Sequence, residues 1–370
     1  MTVVIDFTSS SYLGLRHASD SLRPWAQLTS GVPAALAEPE AASALAADLA
    51  RLVGTEAAVL ATSTLHAFWD LFVVRASMAM EAREPGIALY LDAASYPISR
   101  WGVERAAGLG IPAITVPHHD PGALRRTLAR GESRGLRPLM VTDGLCPGCG
   151  RVTPVGGYLE VCRSFGGELV LDDTQPLGVL GRPGAGESYG QGGGGSLRHA
   201  GVRGPDIILV SSLAKGFGVP MTVVGGSAAF IRGYTDRSET RMHCSPPSFA
   251  HLAAAARALS VNRSSGERLR TRLASLVDRF QRGVRDAALP APRGRFPVQS
   301  VRLPPLLDPV AVYRALLRLG VQPVLHRPQC LQETVVSFLI TAGHSEDDVD
   351  TAVAALDRAA SPSRLADAGG

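Results

Sequence analysis

The sequence predicts an α/β protein whose central sheet is mostly parallel and carries helices on both faces. Three observations lead to this prediction. Short apolar runs alternate along the chain with segments that have apolar residues at helical spacing. The chain has 370 residues and is 45% hydrophobic, which suits one large α/β subunit or two domains. After residue 288 the pattern changes to that of a smaller α/β unit. Alternating strands and helices are typical of βαβ units and a parallel sheet.

In chain order, residues 5–17 are too short and mixed for a core helix and are predicted to form an extended arm or loop. Strands of the large sheet are predicted at 57–61, 87–91, 112–116, 138–142, 168–172, 206–211 and 222–229. Helices are predicted at 36–53, 65–79, 97–108, 121–130, 156–164, 249–260 and 266–287. In the smaller unit, strands are predicted at 298–303, 321–325 and 333–341, and helices at 308–319 and 345–359. The prediction is therefore an N-terminal segment (1–40), a large domain (41–288) and a small C-terminal domain (289–370).

Composition excludes several broad classes. The net charge of +4 comes from scattered arginines and aromatics make up only 5%, so a nucleic-acid-binding surface is not expected. No apolar run approaches the roughly 20 residues of a membrane span, and the N-terminus does not resemble a signal peptide. We therefore expect a cytoplasmic protein that acts on small molecules.

Lys215 is the only lysine among the 37 lysines and arginines of the chain. A primary amine can lose its proton and form an imine with a carbonyl compound, which a guanidinium cannot do. Lys215 also follows an apolar run and is surrounded by small residues, unlike a solvated surface lysine. The sequence therefore indicates an imine-forming lysine rather than a surface lysine that survived by chance.

An imine-forming lysine serves either a carbonyl substrate or pyridoxal phosphate. Pyridoxal phosphate also needs an acid beside its ring nitrogen and an amide-rich pocket for its phosphate. Asp172 ends an apolar strand, and Asp143 ends another, so both are expected at the edge of the sheet that Lys215 reaches. Ser63 and Thr64 lie between a strand and a helix start, where free amides and the helix dipole attract an anion. Asp172 could instead be a helix cap or a surface acid.

Two further motifs are left without a role in this cofactor site. Cys146 and Cys149 form a CxxC, which suits a redox pair or half of a zinc site. No second CxxC or close histidine pair completes a metal site in the sequence, so a Pro-Gly turn with two incidental thiols is favoured and no metal is predicted.

Residues 182–205 are rich in glycine but lack the spacing of a phosphate loop, so a mobile surface loop is predicted.

Five segments together resemble the α-oxoamine synthase family, which are fold-type-I pyridoxal phosphate enzymes. These segments are Phe7–Leu15 (FTSSSYLGL), Val53–Ser63 (VGTEAAVLATS), Val141–Gly144 (VTDG), Leu171–Gly181 (LDDTQPLGVLG) and Ser212–Gly218 (SLAKGFG). Their order and spacing are similar to the family's over most of the chain, and the last two segments together are specific. The resemblance implies a fold-type-I transferase with pyridoxal 5′-phosphate as its cofactor.

The resemblance also implies roles for individual residues. Lys215 would form the imine with the cofactor and move protons on the substrate's α-carbon, and Asp172 would pair with the pyridinium nitrogen. The amides of Ser63, Thr64 and Leu65 and the side chain of Ser212 would hold the phosphate. Ser245 would reach the phosphate of the neighbouring subunit's cofactor, because the family builds its sites at a homodimer interface.

The chain departs from the family's pattern at three places. A histidine that contacts the cofactor's phenolic oxygen is Gln175 here, and glutamine can donate a hydrogen bond but cannot carry the proton. The ring-stacking histidine is absent from 91–97, which leaves Tyr96 or His66 to cover the ring. The arginine that binds the substrate carboxylate is absent from 334–341, which should weaken the binding of plain α-amino acids; Arg100 and Arg241 are candidate substitutes.

Three functions follow as hypotheses. The first is carbon–carbon bond formation between an amino acid or amine and an acyl thioester, with loss of CO₂. The second keeps the cofactor but performs aminotransfer, or β/γ-elimination or replacement, in specialised metabolism; the missing arginine and histidines motivate it. The third is a non-catalytic relic that binds a partner, which the joint presence of Lys215 and Asp172 argues against.

Overall fold

The computed structural model describes residues 4–131, 135–331 and 333–361. The strands are β1 (Ile5–Asp6), β2 (Ala57–Ala61), β3 (Ile87–Asp92), β4 (Ala113–Val116), β5 (Arg137–Asp143), β6 (Leu145–Cys146), β7 (Arg151–Val152), β8 (Glu168–Asp172), β9 (Ile207–Ser212), β10 (Thr222–Gly226), β11 (Val298–Val301), β12 (Val321–Gln322), β13 (Val324–His326) and β14 (Val335–Leu339). The helices are α1 (Glu40–Val53), α2 (Thr64–Glu81), α3 (Pro97–Gly108), α4 (Pro121–Arg130), α5 (Val155–Ser164), α6 (Ser196–Ala200), α7 (Ala228–Arg237), α8 (Glu239–His243), α9 (Phe249–Asp286), α10 (Pro309–Arg318) and α11 (Glu346–Ala360).

A seven-stranded sheet in the order β2-β10-β9-β8-β5-β3-β4 forms the centre of the protein. Only β10 runs antiparallel to its neighbours, and the remaining pairs are parallel, which confirms the predicted α/β class. Alternate residues of β3 enter two separate cores: Ala88 and Tyr90 pack into one, Leu89 and Leu91 into the other. Both faces of the sheet are therefore buried, as continuous apolar strands require.

The carboxyl ends of the parallel strands bring the predicted polar residues together. Asp143, at the end of β5, lies opposite Asp172 at the end of β8. The next strand, β9, ends at Ser212, three residues before Lys215. Open parallel sheets bind ligands at this edge, so the fold positions the candidate residues where a cofactor would bind.

The C-terminal elements form a second, smaller core. A three-stranded sheet in the order β11-β14-β13 packs with α10 and α11, and β1 pairs in parallel with β12. The segment after β1 joins this core: the ring of Phe7 stacks on His344 at 4.4 Å and meets Phe338 edge-on at 5.7 Å. The predicted extended arm is thus largely correct, but it is packed rather than free.

One long helix, α9, replaces the two helices predicted at 249–260 and 266–287. The helix continues without a break through residues 261–265, and polar side chains on this part of it bond to a neighbouring loop. Asn262 donates to the Gly192 oxygen at 3.0 Å, and Arg270 donates to the Gly178 oxygen at 3.0 Å. The helix contributes to both the large and the small core and connects them.

The glycine-rich segment is exposed in its first part but packed in its second, so the predicted surface loop is wrong for residues 193–197. Asp173, fully buried, accepts the Ser196 N–H through both carboxylate oxygens, at 3.1 and 3.0 Å. A Cβ on Gly195, at φ +83°, would lie 1.8 Å from the Asp173 carboxylate. The glycines therefore allow the loop to close over Asp173.

Three short helices, α6, α7 and α8, were not predicted. The strand predicted at 222–229 ends at Gly226 because the Ser227 side chain accepts the Phe230 N–H and begins α7. Across the described ranges, no helix combines the length and the apolar character that crossing a membrane would need.

Candidate active site

A cavity of about 270 Å³ opens at the carboxyl edge of the large sheet. Its walls contain seven of the ten residues predicted from the sequence to contact the cofactor or carry catalysis: Thr64, Tyr96, Asp143, Asp172, Gln175, Ser212 and Lys215. Ile98, Pro147 and Thr174 complete the lining. The structure thus brings most of the predicted site into one cavity.

Lys215 and the two aspartates form the charged part of the cavity. Burial lowers the pKa of the Lys215 ammonium, and the nearby Asp172 and Asp143 oppose that shift. Burial raises the pKa of Asp172. Burial, and then the charge on Asp172, raise the pKa of Asp143 well above its ordinary value. A buried amine with a lowered pKa is the form of lysine that attacks carbonyl compounds.

Thr174 fixes Asp172 in place. Its backbone N–H donates to the Asp172 Oδ1 at 3.0 Å, and its hydroxyl accepts the Ser212 N–H at 3.0 Å. This one residue therefore links the ends of β8 and β9 and holds the carboxylate. Sequence reasoning assigned no role to it, although it lies between two residues that were singled out.

The turn before α2 has the geometry that an anion site needs. The Ser63 side chain accepts the His66 N–H at 3.3 Å and caps the helix, while Thr64 lines the cavity. Leu65 is the second residue of the helix, so its amide belongs to the unpaired first turn. Ser212 also lines the cavity, and its hydroxyl accepts the Ala214 N–H at 3.1 Å.

Ser245 lies beside this turn within the same chain. Its backbone oxygen accepts the hydroxyl of Thr62 at 3.2 Å. The resemblance instead assigned Ser245 to the cofactor of a neighbouring subunit. That reach across an interface stays a prediction.

Tyr96, rather than His66, covers Lys215. Its ring centroid is 5.6 Å from the Lys215 Nζ, and its backbone N–H donates to the Asp143 Oδ2 at 2.9 Å. His66 does not line the cavity, and its Nδ1 lies 3.1 Å from the Ser63 hydroxyl. The Tyr96 side chain is half exposed, so a planar ligand can lie against it.

Gln175 is held by a residue that the sequence analysis did not single out. The hydroxyl of Tyr12 donates to the Gln175 Oε1, and Tyr12 is wholly buried. With its oxygen engaged, the Gln175 amide presents its NH₂ group as the remaining donor. Tyr12 belongs to the Phe7–Leu15 segment that carried the resemblance, and this was the available signal.

Neither candidate arginine lines the cavity. Arg241 is buried and paired with Glu38 at 3.1 Å. Arg100 donates to the Ala93 oxygen and to Gln329 Oε1, at 3.0 and 3.1 Å. Among the described residues that line the cavity, Lys215 is the one basic side chain. A carboxylate clamp in the form of a bidentate arginine is therefore absent from this wall.

The residues present fit pyridoxal phosphate. The cavity combines a buried amine, a fixed buried acid, a helix start with free amides and an exposed aromatic face. In addition, the Asp143 Oδ1 is buried and has no hydrogen-bond partner among the described atoms. An unpartnered buried oxygen is costly, and a donor on a bound group would satisfy it.

Comparison with known proteins agrees with this chemistry. Residues 2–356 match the aminotransferase class I and II family. The chain belongs to that family. An 8-amino-7-oxononanoate synthase from Halorhodospira halophila is 31% identical over 325 residues, which cover 86% of this chain and 74% of the relative. Another from Marinobacter nauticus is 31% identical over 244 residues, 65% of this chain and 58% of the relative.

Solved structures of related enzymes have the same fold as this chain. A serine palmitoyltransferase from Sphingomonas wittichii superposes with a TM-score of 0.78 at 20% identity, over 95% of this chain and 86% of that one. An 8-amino-7-oxononanoate synthase from Francisella tularensis gives a TM-score of 0.71 at 17% identity, over 96% and 97%. The protein is thus a fold-type-I, pyridoxal-phosphate-dependent transferase of the α-oxoamine synthase group.

Proposed function

We propose that this protein joins the α-carbon of an amino acid or amine to the acyl group of a thioester. The new carbon–carbon bond replaces the thioester C–S bond, the thiol leaves, and an amino acid substrate loses its carboxylate as CO₂. The observation that carries the proposal is that Lys215, Asp172 and Tyr96 line one cavity in a chain similar to 8-amino-7-oxononanoate synthases.

Each residue has a task in this proposal. Bound pyridoxal phosphate supplies an electron sink for the charge left on the α-carbon. Asp172 holds a proton at the ring nitrogen, and the hydrogen bond from Thr174 keeps the Asp172 carboxylate in position. Lys215 anchors the cofactor and then moves the proton at the α-carbon, because its lowered pKa leaves the amine able to accept one. Tyr96 would cover the ring, and Asp143 and Gln175 would contact its substituents. The phosphate would be held by Ser63, Thr64, Leu65 and Ser212, and Ser245 would reach the phosphate of the neighbouring subunit's cofactor.

The cavity chemistry also bears on the substrate. Because no arginine lines the described wall, a substrate carboxylate would lack a bidentate partner. A carboxylate that leaves during the reaction does not need to be held tightly. The same observation favours the second candidate, aminotransfer or elimination on an unusual amine, and the experiment below separates the two.

Exposed aromatic side chains on and beside α2 and α3 support a homodimer. Trp69 on α2 and Trp101 on α3 are 44% and 48% exposed, and Tyr96, which lines the cavity and directly precedes α3, is 50% exposed. Large apolar side chains grouped on two packed helices are typical of an interface. We propose that a second copy covers them and completes the site.

The five free cysteines are consistent with the reducing cytoplasm, which we propose as the location of the protein.

The experiment starts with the purified protein and added pyridoxal phosphate. We expect an absorbance band near about 420 nm in the wild type, and its loss in both Lys215→Ala and the charge-preserving Lys215→Arg. The loaded enzyme is then incubated with amino acids in deuterated water, with and without acyl thioesters. Thioester-dependent CO₂ release supports the proposed condensation. Keto-acid formation without thioester supports aminotransfer instead, and a protein that stays colourless refutes both.

A further inference from the structure

Four side chains from distant parts of the chain meet outside the active-site cavity. The sulfurs of Cys146, Cys149 and Cys330 and a ring nitrogen of His118 all lie within 4.8 Å of one another. Cys146 and Cys149 flank the turn between β6 and β7, and His118 follows β4. Cys330 comes from the loop between β13 and β14, so the cluster joins the small C-terminal sheet to the large one. The cluster could not be predicted from the sequence, because neither His118 nor Cys330 is near the CxxC in the chain.

Two distances within the cluster are close to those of a tetrahedral ligand shell. The Cys146 and Cys330 sulfurs are 3.3 Å apart, and the Cys149 sulfur is 3.5 Å from the His118 Nε2. Zinc bonds of about 2.3 Å to sulfur and about 2.0–2.1 Å to nitrogen place neighbouring ligands about 3.6–3.8 Å apart. These two distances are a few tenths of an ångström shorter than that, and all four atoms lie within 4.8 Å of one another, so a single ion would reach them with shifts of at most about 1 Å.

A buried carboxylate orients the histidine. Asp92 is 1% exposed, and its Oδ1 lies 2.7 Å from the His118 Nδ1. The same carboxylate accepts the backbone N–H groups of Ala94 and His119 at 2.9 and 3.0 Å, so it cannot rotate freely. With Nδ1–H donated to Asp92, the Nε2 lone pair of His118 faces the thiols. Histidine ligands of metals almost always donate their other ring N–H in this way, to a carboxylate, a backbone carbonyl or water.

The glycine of the CxxC turn leaves room for the third sulfur. A Cβ on Gly148 would lie 2.6 Å from the Cys330 sulfur, so only glycine allows that sulfur to approach.

We propose that Cys146, Cys149, Cys330 and His118 bind one structural zinc ion. Four protein ligands close the coordination sphere and leave no position for a substrate. Zn²⁺ displaces the thiol protons to solvent as it binds. Its effect would be to hold one wall of the active site: Pro147, between the two CxxC cysteines, lines the Lys215 cavity, and Gln329, next to Cys330, accepts from Arg100.

The test measures metal in the full-length protein, purified without chelator, by inductively coupled plasma mass spectrometry. We expect about one zinc per chain in the wild type and less than about a tenth in Cys330→Ser and His118→Ala. Cys162→Ala is the matched control, because Cys162 is a free buried cysteine on α5 away from the cluster, and it should retain the metal. Chelator-stripped wild type titrated with Co²⁺ should give the visible absorption of a tetrahedral thiolate site, a readout that does not depend on how the variants fold.

Three results would overturn the proposal. One is stripped wild type that takes up neither zinc nor cobalt while all its thiols titrate as free. Another is a disulfide between any two of the three cysteines in freshly purified protein, detected by mass spectrometry. The third is zinc retained at wild-type level in both Cys330→Ser and His118→Ala. None of these readouts depends on pyridoxal phosphate, so the zinc proposal and the proposed reaction can fail separately.

Discussion

Replacement of Tyr12 by phenylalanine tests how the cavity orients Gln175. Tyr12 is wholly buried, and burial raises the pKa of its phenol, so the hydroxyl remains protonated and donates to the Gln175 Oε1. Tyr12→Phe removes one oxygen atom and leaves the ring, its packing against Phe296 at 5.3 Å and the backbone unchanged. The effect of the substitution is therefore that of the hydrogen bond alone.

The size of the effect follows from what the substitution leaves behind. A partly buried acceptor that loses its donor costs about 1–3 kcal/mol in the free energy of unfolding. In the loaded enzyme, the Gln175 amide also loses the contact that orients it toward the cofactor. If that orientation is worth about 1 kcal/mol, pyridoxal phosphate should bind about fivefold more weakly.

The assay combines urea denaturation with a titration of pyridoxal phosphate followed by absorbance. Tyr189→Phe is the matched control, because Tyr189 is also buried and donates to a single partner, the Arg295 oxygen, at 2.7 Å. Both variants should lose similar stability, but only Tyr12→Phe should lose cofactor affinity. Equal affinity for pyridoxal phosphate in the two variants would contradict an orienting role for Tyr12, whether both keep the wild-type affinity or both lose it.

Three further predictions concern the buried ion pair, the lysine and the carboxylate of the zinc cluster. Glu168→Gln should lower the free energy of unfolding by about 3 kcal/mol in urea denaturation, because Arg75 is buried and bonds Glu168 through both Nε and Nη2. The control is Glu160→Gln, since Glu160 forms an exposed pair with Arg125. This control should cost less than about 1 kcal/mol in the same experiment. The rate at which pyridoxal phosphate reacts with Lys215 should rise with pH, and the midpoint of this rise should lie below pH 10.5, since burial lowers the pKa of the amine. Asp172→Asn should move the midpoint lower still, because Asp172 raises the pKa of Lys215. A midpoint at or above 10.5 would contradict a buried amine. Asp92→Asn should weaken zinc binding by about 10–100-fold in a competition titration with a chromophoric chelator, whereas unchanged affinity would mean that the carboxylate does not orient His118.

Part of the active site could be predicted from local rules in the sequence, whereas Gln175, Ser212 and Tyr96 were predicted from the resemblance to the family. Asp143 and Asp172 directly follow apolar strands, and the ends of parallel strands necessarily meet at one edge. Ser63 and Thr64 follow from the N-cap preference at a strand-to-helix turn. Lys215 stood out by chemistry, as the one primary amine side chain of the protein. None of these inferences needed a contact between distant segments.

What the sequence could not supply were contacts set by tertiary packing. Tyr12 reaches Gln175 only because the N-terminal segment is pinned between the two cores. Helix α9 continues through Asn262 and Gly266 because a loop 70 residues away accepts the polar side chain. The zinc cluster was dismissed for the same reason: the CxxC is local, but His118 and Cys330 arrive through the folding of β4 and of the small sheet.

The two sites share the ends of two adjacent strands. Strand β3 ends at Asp92, which orients His118, and the chain then runs directly to Tyr96 in the cavity. Strand β5 ends at Asp143, which accepts the Tyr96 N–H, and the chain then runs directly to Cys146. An ion that fixes the cluster therefore also restricts the residues that face the cofactor.

This shared anchoring predicts that zinc and pyridoxal phosphate bind cooperatively. Zinc-free protein should bind pyridoxal phosphate at least about fivefold more weakly, which corresponds to a coupling free energy of about 1 kcal/mol. Linkage requires that the cofactor strengthen zinc binding by the same factor, so measuring both affinities in a four-state cycle tests the coupling without reference to catalysis. If the two affinity ratios differ, chelation damages the protein rather than vacating a site. If both ratios equal one, the cluster stabilises the fold without acting on the cavity.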